Sequence, residues 1–152
     1  MITKIIKPIN LLRGTHDDTA QTGQGCFMNV IAYLNGEPQI TDQSDCVCYV
    51  VRPIAIWLND YLKDEERHLM IPFIERAMGS RSDDKNEVIR RVKLVVKFSN
   101  IAAKYAKYAA VIRKTLIDAA FEFLDNALPK EIKIEKVVSE RAKKLMAINT
   151  EG

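Results

Sequence analysis

Three cysteines and one histidine lie in the first third of this chain and could bind a metal or act as reactive thiols. They are His16, Cys26, Cys46 and Cys48, with the spacing H-x9-C-x19-C-x-C. Thiolates and imidazole are the usual zinc ligands, and four of them complete a tetrahedral structural site. The four residues therefore form a candidate zinc site.

The same residues also fit two interpretations without a metal. Zinc knuckles mostly separate their cysteines by about two to four residues, whereas Cys46 and Cys48 are one residue apart and would point in different directions on a helix. Free cysteines are commonly buried, so all three could be core residues. Alternatively, Cys26 or Cys46 at a helix start would be a nucleophile with His16 as its base. Cys46 is the better candidate to meet Cys26 and His16, and Cys48 to lie in the core.

The elements that would position these residues are mainly helical. Gly and Pro are few, 6 and 5, and apolar residues recur mostly at helical spacing. The length of 152 residues is that of one domain. We expect a single compact domain, all-α or nearly so, of five to seven helices over residues 1–152, with a short strand or a helix within residues 2–12.

Apolar spacing, capping residues and prolines indicate where the helices begin and end. The first helix is expected over Cys26–Leu34, where apolar residues follow the i, i+3, i+4, i+7 pattern. Ser44 or Asp45 could cap the next helix, in which Pro53 marks either a kink or a new first turn. A third helix is expected over Asp64–Met78, and Pro72 should interrupt it in the same way, as a kink or as a new first turn.

The longest helical stretch covers residues 87–126. It is too long for one uninterrupted helix in a compact domain, so a break near Ser99-Asn100 and an antiparallel pair are expected. The domain then divides into a Cys/His loop-and-helix part at 1–82, a long basic helical hairpin at 83–128, and a charged C-terminal helix and tail at 130–152.

Positive charge is concentrated in this hairpin, although the whole chain carries only +3. Between Val88 and Ile117 there are eight Lys or Arg and no Asp or Glu. On a continuous helix, six of them share about a third of the circumference: Arg90, Lys93, Lys97, Lys104, Lys107 and Lys114. Such a stripe could follow nucleic-acid phosphates, with Tyr105 and Tyr108 beside it, bind an acidic protein, or remain a solvated face.

Part of the chain resembles an uncharacterised family of bacteriophage and actinobacterial proteins. The resemblance rests on RGTH, GCFMNVIAYLNGE, TDQSDCVC, LND and MGSR, in that order, between Arg13 and Arg81. Asn29 stands where the family has Glu, and Ser44 where it has Pro. The resemblance implies an accessory or phage-borne protein. It also implies that five residues lie close together in the folded protein: His16, Cys26, Glu37, Asp42 and Cys46.

The absence of a complete catalytic constellation favours a binding protein over an enzyme. We expect a small accessory binding protein that needs no cofactor and acts on a protein or nucleic-acid partner through its basic helical face. The alternative is a metal- or thiol-dependent enzyme, or a zinc-stabilised domain, using His16, Cys26 and Cys46. An odd cysteine count favours reduced thiols and a cytoplasmic protein, and no apolar run approaches the roughly 20 residues of a membrane span.

Overall fold

The computed structural model describes residues 9–14, 23–105 and 112–131. Within these ranges the chain forms a mostly helical single domain with five α-helices, one short 3-10 helix and a two-stranded parallel sheet. The expected fold class, all-α with a short N-terminal strand, is therefore confirmed.

The sheet and the helices follow one another along the chain. In order they are β1 Asn10–Leu11, β2 Gln24–Gly25, α1 Phe27–Leu34, α2 Arg52–Tyr61, the 3-10 helix Arg67–Met70, α3 Pro72–Ala77, α4 Lys85–Tyr105 and α5 Ile112–Ala127. In the sheet, Asn10 lies opposite Gln24 and Leu11 opposite Gly25. Because β2 leads almost directly into α1, the sheet fixes where that helix begins.

The central helix of the domain is α1. All of its residues except Tyr33 are buried, including Met28 and Ala32, which lie off the predicted apolar face. A helix that is apolar nearly all round is one surrounded by other elements. Leu58 of α2 and Ile74 of α3 complete the same core.

Two expected helices differ from the observed ones. Residues 44–51 form turns instead of a capped helix start, and α2 begins at Arg52 with Pro53 in its first turn. Proline is favoured there because first-turn N–H groups have no intrahelical acceptor. The expected helix over Asp64–Met78 begins later, at Arg67, as the 3-10 helix, and the interruption expected at Pro72 is found, since Pro72 begins α3.

The two longest helices, α4 and α5, pack as an antiparallel pair. Arg90 near the start of α4 donates to the carbonyl oxygen of Asn126 near the end of α5, and Phe98 contacts Phe123 farther along. The expected break near Ser99-Asn100 is wrong, because α4 runs through both residues. Both side chains are exposed, and the buried Phe98 ring beside them holds the helix on α5.

The end of α5 is fixed by an arginine from α3. Arg76 donates to the carbonyl oxygens of Asp125 and Pro129 and pairs with the Asp125 carboxylate at 2.8 Å. Beyond Glu131, the expected C-terminal helix at 130–152 lies outside the described residues. None of the helices within the described ranges has the length and apolar character that crossing a membrane requires.

The start of α5 is joined to the loop after α2 by an ion pair between Arg113 and Glu66. The guanidinium donates to both carboxylate oxygens, at 2.9 and 2.5 Å, and the Lys63 backbone N–H donates to one of them at 2.9 Å. The Arg113 hydrogen bond, followed by that backbone N–H, lowers the pKa of Glu66 from 4.5 to about 2. The folded domain therefore favours the charged carboxylate.

This lowered pKa predicts an acid-sensitive contribution to stability. Because the folded pKa lies below the unfolded one, the contribution is complete above about pH 4.5 and is lost as the pH falls towards about 2. Glu66→Gln is expected to lower the free energy of unfolding near pH 7 and to converge on the unaltered protein at the acid end. Urea unfolding across this pH range measures the difference. The exposed neighbour variant Glu65→Gln should show no comparable pH-dependent loss, and a pH-independent difference for Glu66→Gln would contradict the prediction.

Candidate functional site

Cys26 caps the N-terminus of α1. Its sulfur accepts the Asn29 backbone N–H at 3.4 Å, and the Asn29 side-chain oxygen accepts the Cys26 N–H at 3.3 Å. This reciprocal pair satisfies two N–H groups that the helix itself leaves without an acceptor. Burial raises the pKa of the Cys26 thiol, so the thiol stays protonated. Asn29 thus completes the cap.

Cys46 lies beside a hydrogen-bonded pair of polar side chains. Its sulfur is 3.1 Å from the Ser44 hydroxyl, and that hydroxyl donates to the Glu37 carboxylate. The Asn35 side-chain amide donates to the same carboxylate oxygen at 3.1 Å. Burial raises the pKa of the Cys46 thiol as well. The arrangement therefore holds a neutral thiol on a buried serine.

Cys48 is a core residue. It is buried among apolar side chains, and its backbone N–H donates to the Ser80 hydroxyl at 3.0 Å. Within the described part of the chain, no three or more His, Cys, Asp or Glu side chains form a group that could hold a metal ion. The described residues therefore do not bring the three thiols together as one ligand group, and His16, the fourth candidate ligand, lies outside them.

Different burial predicts different thiol reactivity. Cys46 is partly exposed, whereas Cys26 and Cys48 are buried. With an aromatic disulfide reagent, we expect one fast-reacting thiol per chain and two that react at least about tenfold more slowly, since they need a local opening. Cys46→Ser should abolish the fast phase, and Cys48→Ser should leave it intact. If none of the three thiols reacted and the purified protein contained near-stoichiometric zinc, the prediction would be contradicted.

The family-like motifs are joined by hydrogen bonds around the start of α1. Asn59 of the LND motif accepts the Phe27 N–H at 3.1 Å and donates to the carbonyl oxygen of Leu12 at 2.8 Å. Its neighbour Asp60 accepts the N–H of Gly14, in the RGTH motif, at 2.8 Å. The LND motif thus fixes both the strand β1 and the first turn of α1.

A second set of bonds joins the remaining motifs. The N–H of Arg81, in MGSR, donates to the carbonyl oxygen of Cys46 at 3.2 Å, next to the bond between Cys48 and Ser80. The Ser44 hydroxyl links the TDQSDCVC motif to Glu37, the last residue of the GCFMNVIAYLNGE motif. These hydrogen bonds join the described motif residues to one another inside the domain.

The predicted basic stripe is divided in the structure. Arg90 is bound within the domain, to the Glu87 carboxylate and to the Asn126 carbonyl oxygen. Lys114 is on α5, so it does not continue the α4 stripe on one helix, and Lys107 lies outside the described residues. The chain reverses between α4 and α5, and the continuous helix assumed for the stripe is therefore absent from the described residues.

Three predicted lysines remain exposed on one side of α4. They are Lys93, Lys97 and Lys104, and they line a shallow open groove together with Val96, Asn100 and Ile101. Lys97 has a distant acidic neighbour, with 3.9 Å between its ammonium and the Glu122 carboxylate, and both side chains are mostly exposed. An exposed pair at this distance neutralises little charge.

The same side of α4 carries three exposed apolar residues, which the charge pattern of the sequence does not identify. Ile89, Val92 and Val96 are 51%, 44% and 52% exposed. Ile89, Lys93, Val96 and Asn100 follow i, i+4, i+7, i+11 and so form one stripe. We call Ile89, Val92, Lys93, Val96, Lys97, Asn100 and Lys104 the α4 outer face.

The α4 outer face differs from the opposite stripe of the helix, which packs on α5. The packed stripe contains the buried residues Arg91 and Phe98 and the partly buried Leu94. Apolar β-branched residues next to lysines are therefore exposed to solvent on this helix.

Comparisons with models of protein families, with curated proteins and with solved structures found no match to this chain.

Proposed function

We propose that the protein is a small accessory binding protein whose α4 outer face binds an acidic amphipathic segment of a protein partner. The observation that carries this proposal is the joint exposure of Ile89, Val92 and Val96 beside Lys93, Lys97 and Lys104. From Ile89 to Lys104 the face is about 22 Å long, which matches about four turns of a partner helix. The resemblance to phage and actinobacterial proteins adds the proposal of an accessory, phage-borne role.

The combination of apolar and basic residues favours a protein segment over a nucleic acid. Phosphate binding uses cations along a continuous track, and half of the predicted stripe is bound internally, on α5 or outside the described residues. Exposed valine and isoleucine contribute nothing to phosphate contacts, but they bury well in a helix-in-groove complex. Lysines at the edge of such a face would pair with acidic residues of the partner.

Self-association of two chains through their α4 outer faces is disfavoured. Two α4 outer faces would bring six lysines together with one weak acidic neighbour, Glu122, per copy. Like charges placed opposite each other disfavour such an interface. Thiol chemistry has less support, since burial raises the pKa of both Cys26 and Cys46 and so reduces their thiolate fraction.

A designed peptide tests the proposal. The probe is a helical peptide of about 16 residues with leucines at i, i+3/i+4 spacing and flanking glutamates, and binding is followed by fluorescence polarisation. Lys93→Gln/Lys97→Gln is expected to weaken binding about tenfold and to reduce its salt dependence. Val92→Ser/Val96→Ser should weaken binding by a similar factor with the salt dependence unchanged, because it removes apolar contact only.

The matched control is Lys63→Gln/Lys130→Gln, which removes two exposed positive charges outside the α4 outer face. Its binding to the peptide should stay within about twofold of the unaltered protein. Tighter binding of duplex DNA than of the peptide, lost in the lysine variant but not in the valine variant, would assign the face to nucleic acid instead. Equal weakening by the control would show that only net charge matters.

A further inference from the structure

A second charged surface is formed by one tyrosine and two arginines. Tyr49 is 54% exposed at the tip of the turn before α2. The guanidinium carbon of Arg52 lies 5.1 Å from its ring centroid, and that of Arg81 lies 5.2 Å from the same centroid. Two cations from distant parts of the chain are therefore held on one aromatic ring. We call these three residues the Tyr49 cluster.

The backbone beneath the Tyr49 cluster is fixed. The turn is closed by the N–H groups of Val51 and Arg52, which donate to the carbonyl oxygen of Cys48 at 3.0 and 3.2 Å. On the other side, Ser80 is buried and accepts the Cys48 N–H. The Arg81 N–H then bonds the Cys46 carbonyl oxygen at 3.2 Å. Neither arginine needs a backbone rearrangement to reach the ring.

The charge of the Tyr49 cluster is largely uncompensated. Within the described part of the chain, Arg52 has no acidic partner. Arg81 has one, Asp45, at 3.9 Å from its guanidinium, and that carboxylate is 83% exposed. An exposed pair at this separation contributes little. The contacts of both guanidiniums with the ring hold two like charges close together.

We propose that the Tyr49 cluster is an anchor point for acidic side chains of a protein partner. Guanidinium groups donate pairs of hydrogen bonds to carboxylates, and stacking on an aromatic ring orients them before the partner arrives. Tyrosine and arginine are also the residue types that dominate binding energy at protein interfaces. This anchor is separate from the α4 outer face and does not depend on it.

A carboxylate-bearing protein segment fits the cluster better than a nucleic acid does. A nucleic-acid backbone repeats its negative charge along its length and needs a track of cations. The Tyr49 cluster has only two cations, and the one carboxylate that the described residues place beside them, Asp45, is 83% exposed. Two cations match one or two carboxylates, and they form no track for the repeated charges of a nucleic-acid backbone.

Site-resolved NMR tests this anchor. The probe is acetylated hexaglutamate amide, with hexaglutamine as the uncharged control, and the side-chain Nε–H signals of Arg52 and Arg81 are followed during titration. We expect both signals to shift saturably with hexaglutamate only. Arg52→Gln/Arg81→Gln removes both of these signals, so its affinity is measured at backbone amide signals, and it should be about tenfold weaker. Tyr49→Ala should weaken it several-fold, while Tyr49→Phe, which keeps the ring, should leave it unchanged.

Two controls separate this anchor from net charge and from the α4 outer face. Lys63→Gln/Lys130→Gln makes the same change in net charge, and Lys63 lies at the opposite end of α2 from Arg52. Lys93→Gln/Lys97→Gln removes the α4 lysines and should leave the shifts of Arg52 and Arg81 in place. Absence of saturable shifts at these two arginines would overturn the proposal. Tighter binding there of inorganic phosphate or of a single-stranded oligonucleotide would also overturn it, in favour of a phosphate site.

Discussion

Replacing Asn59 by alanine is expected to lower the free energy of unfolding by about 3 kcal/mol, because it leaves buried backbone groups without partners. The Asn59 side chain is buried and binds both the Phe27 N–H and the Leu12 carbonyl oxygen. Each buried group that loses its partner costs about 1–3 kcal/mol, and a domain of this size has only about 5–15 kcal/mol in total. Urea unfolding followed by the signal of Trp57 measures the change.

The matched control for this variant is Asn100→Ala. Asn100 is exposed on α4, so its replacement should change the free energy of unfolding by no more than about 0.5 kcal/mol. Asn59→Asp is a second test: it loses the donor to Leu12 and buries a carboxylate next to Asp60, so it should cost at least as much as alanine. A loss below about 1 kcal/mol for Asn59→Ala would contradict the role of the LND motif as the joint between β1, α1 and α2.

Replacing Arg91 by methionine is expected to be comparably damaging, at about 3 kcal/mol. Arg91 is 2% exposed and joins three parts of the chain. Its guanidinium donates to the carbonyl oxygens of Ser80 at 2.5 Å and Ala127 at 3.0 Å, and it pairs with Glu87 at 3.2 Å. Methionine keeps much of the aliphatic volume but leaves both carbonyl groups without this donor.

The neighbouring Arg90 provides the control for Arg91. Its side chain is 47% exposed and reaches the carbonyl oxygen of Asn126 over the helix surface. Arg90→Met should therefore cost about 1 kcal/mol or less. Thermal unfolding of the two variants in the same buffer gives the comparison. Equal losses, or a larger loss for Arg90, would contradict the assignment of Arg91 as the buried link between α3, α4 and α5.

The adjacent arginines show why the basic stripe could be predicted only in part. Charge counting identifies the acid-free segment, and helical geometry separates Arg90 from Arg91 by about 100°. Which of the two faces the core depends on where α5 packs, and this is a tertiary contact. The assumption of one continuous helix also placed Lys114 on the same stripe, whereas α5 is a separate helix packed antiparallel to α4.

The apolar residues of α4 were ambiguous for a related reason. Ile89, Val92 and Val96 have the spacing of a core-facing stripe, and so do Leu94 and Phe98 on the other side of the helix. Sequence periodicity detects both stripes but does not say which one is packed. Only the position of α5 shows that Phe98 is buried and Val96 is exposed. The exposed stripe on α4 was therefore not recognisable before the fold was known.

The fold class and the first helix were predictable because they depend on local signals. Apolar periodicity predicts the start of α1 to within one residue, and the Asn35-Gly36 stop predicts its end at Leu34. The turns at 44–51 were not predicted, because Ser44 has the residue type of a helix cap but its hydroxyl bonds Glu37, seven residues earlier in the chain. The residues next to a serine do not indicate whether its hydroxyl caps the following helix or bonds a residue farther away in the chain.

The most direct test of the proposed binding role is a chemical-shift map of the isotope-labelled full chain titrated with the acidic amphipathic peptide. The proposal predicts that the largest shifts fall on the backbone amides and methyl groups of Ile89, Val92 and Val96, with smaller shifts at Lys93 and Lys97. It also predicts that the methyl shifts persist at high salt with a lower affinity. Shifts confined to other elements, or none at these three residues at saturating peptide, would contradict a binding function for the α4 outer face.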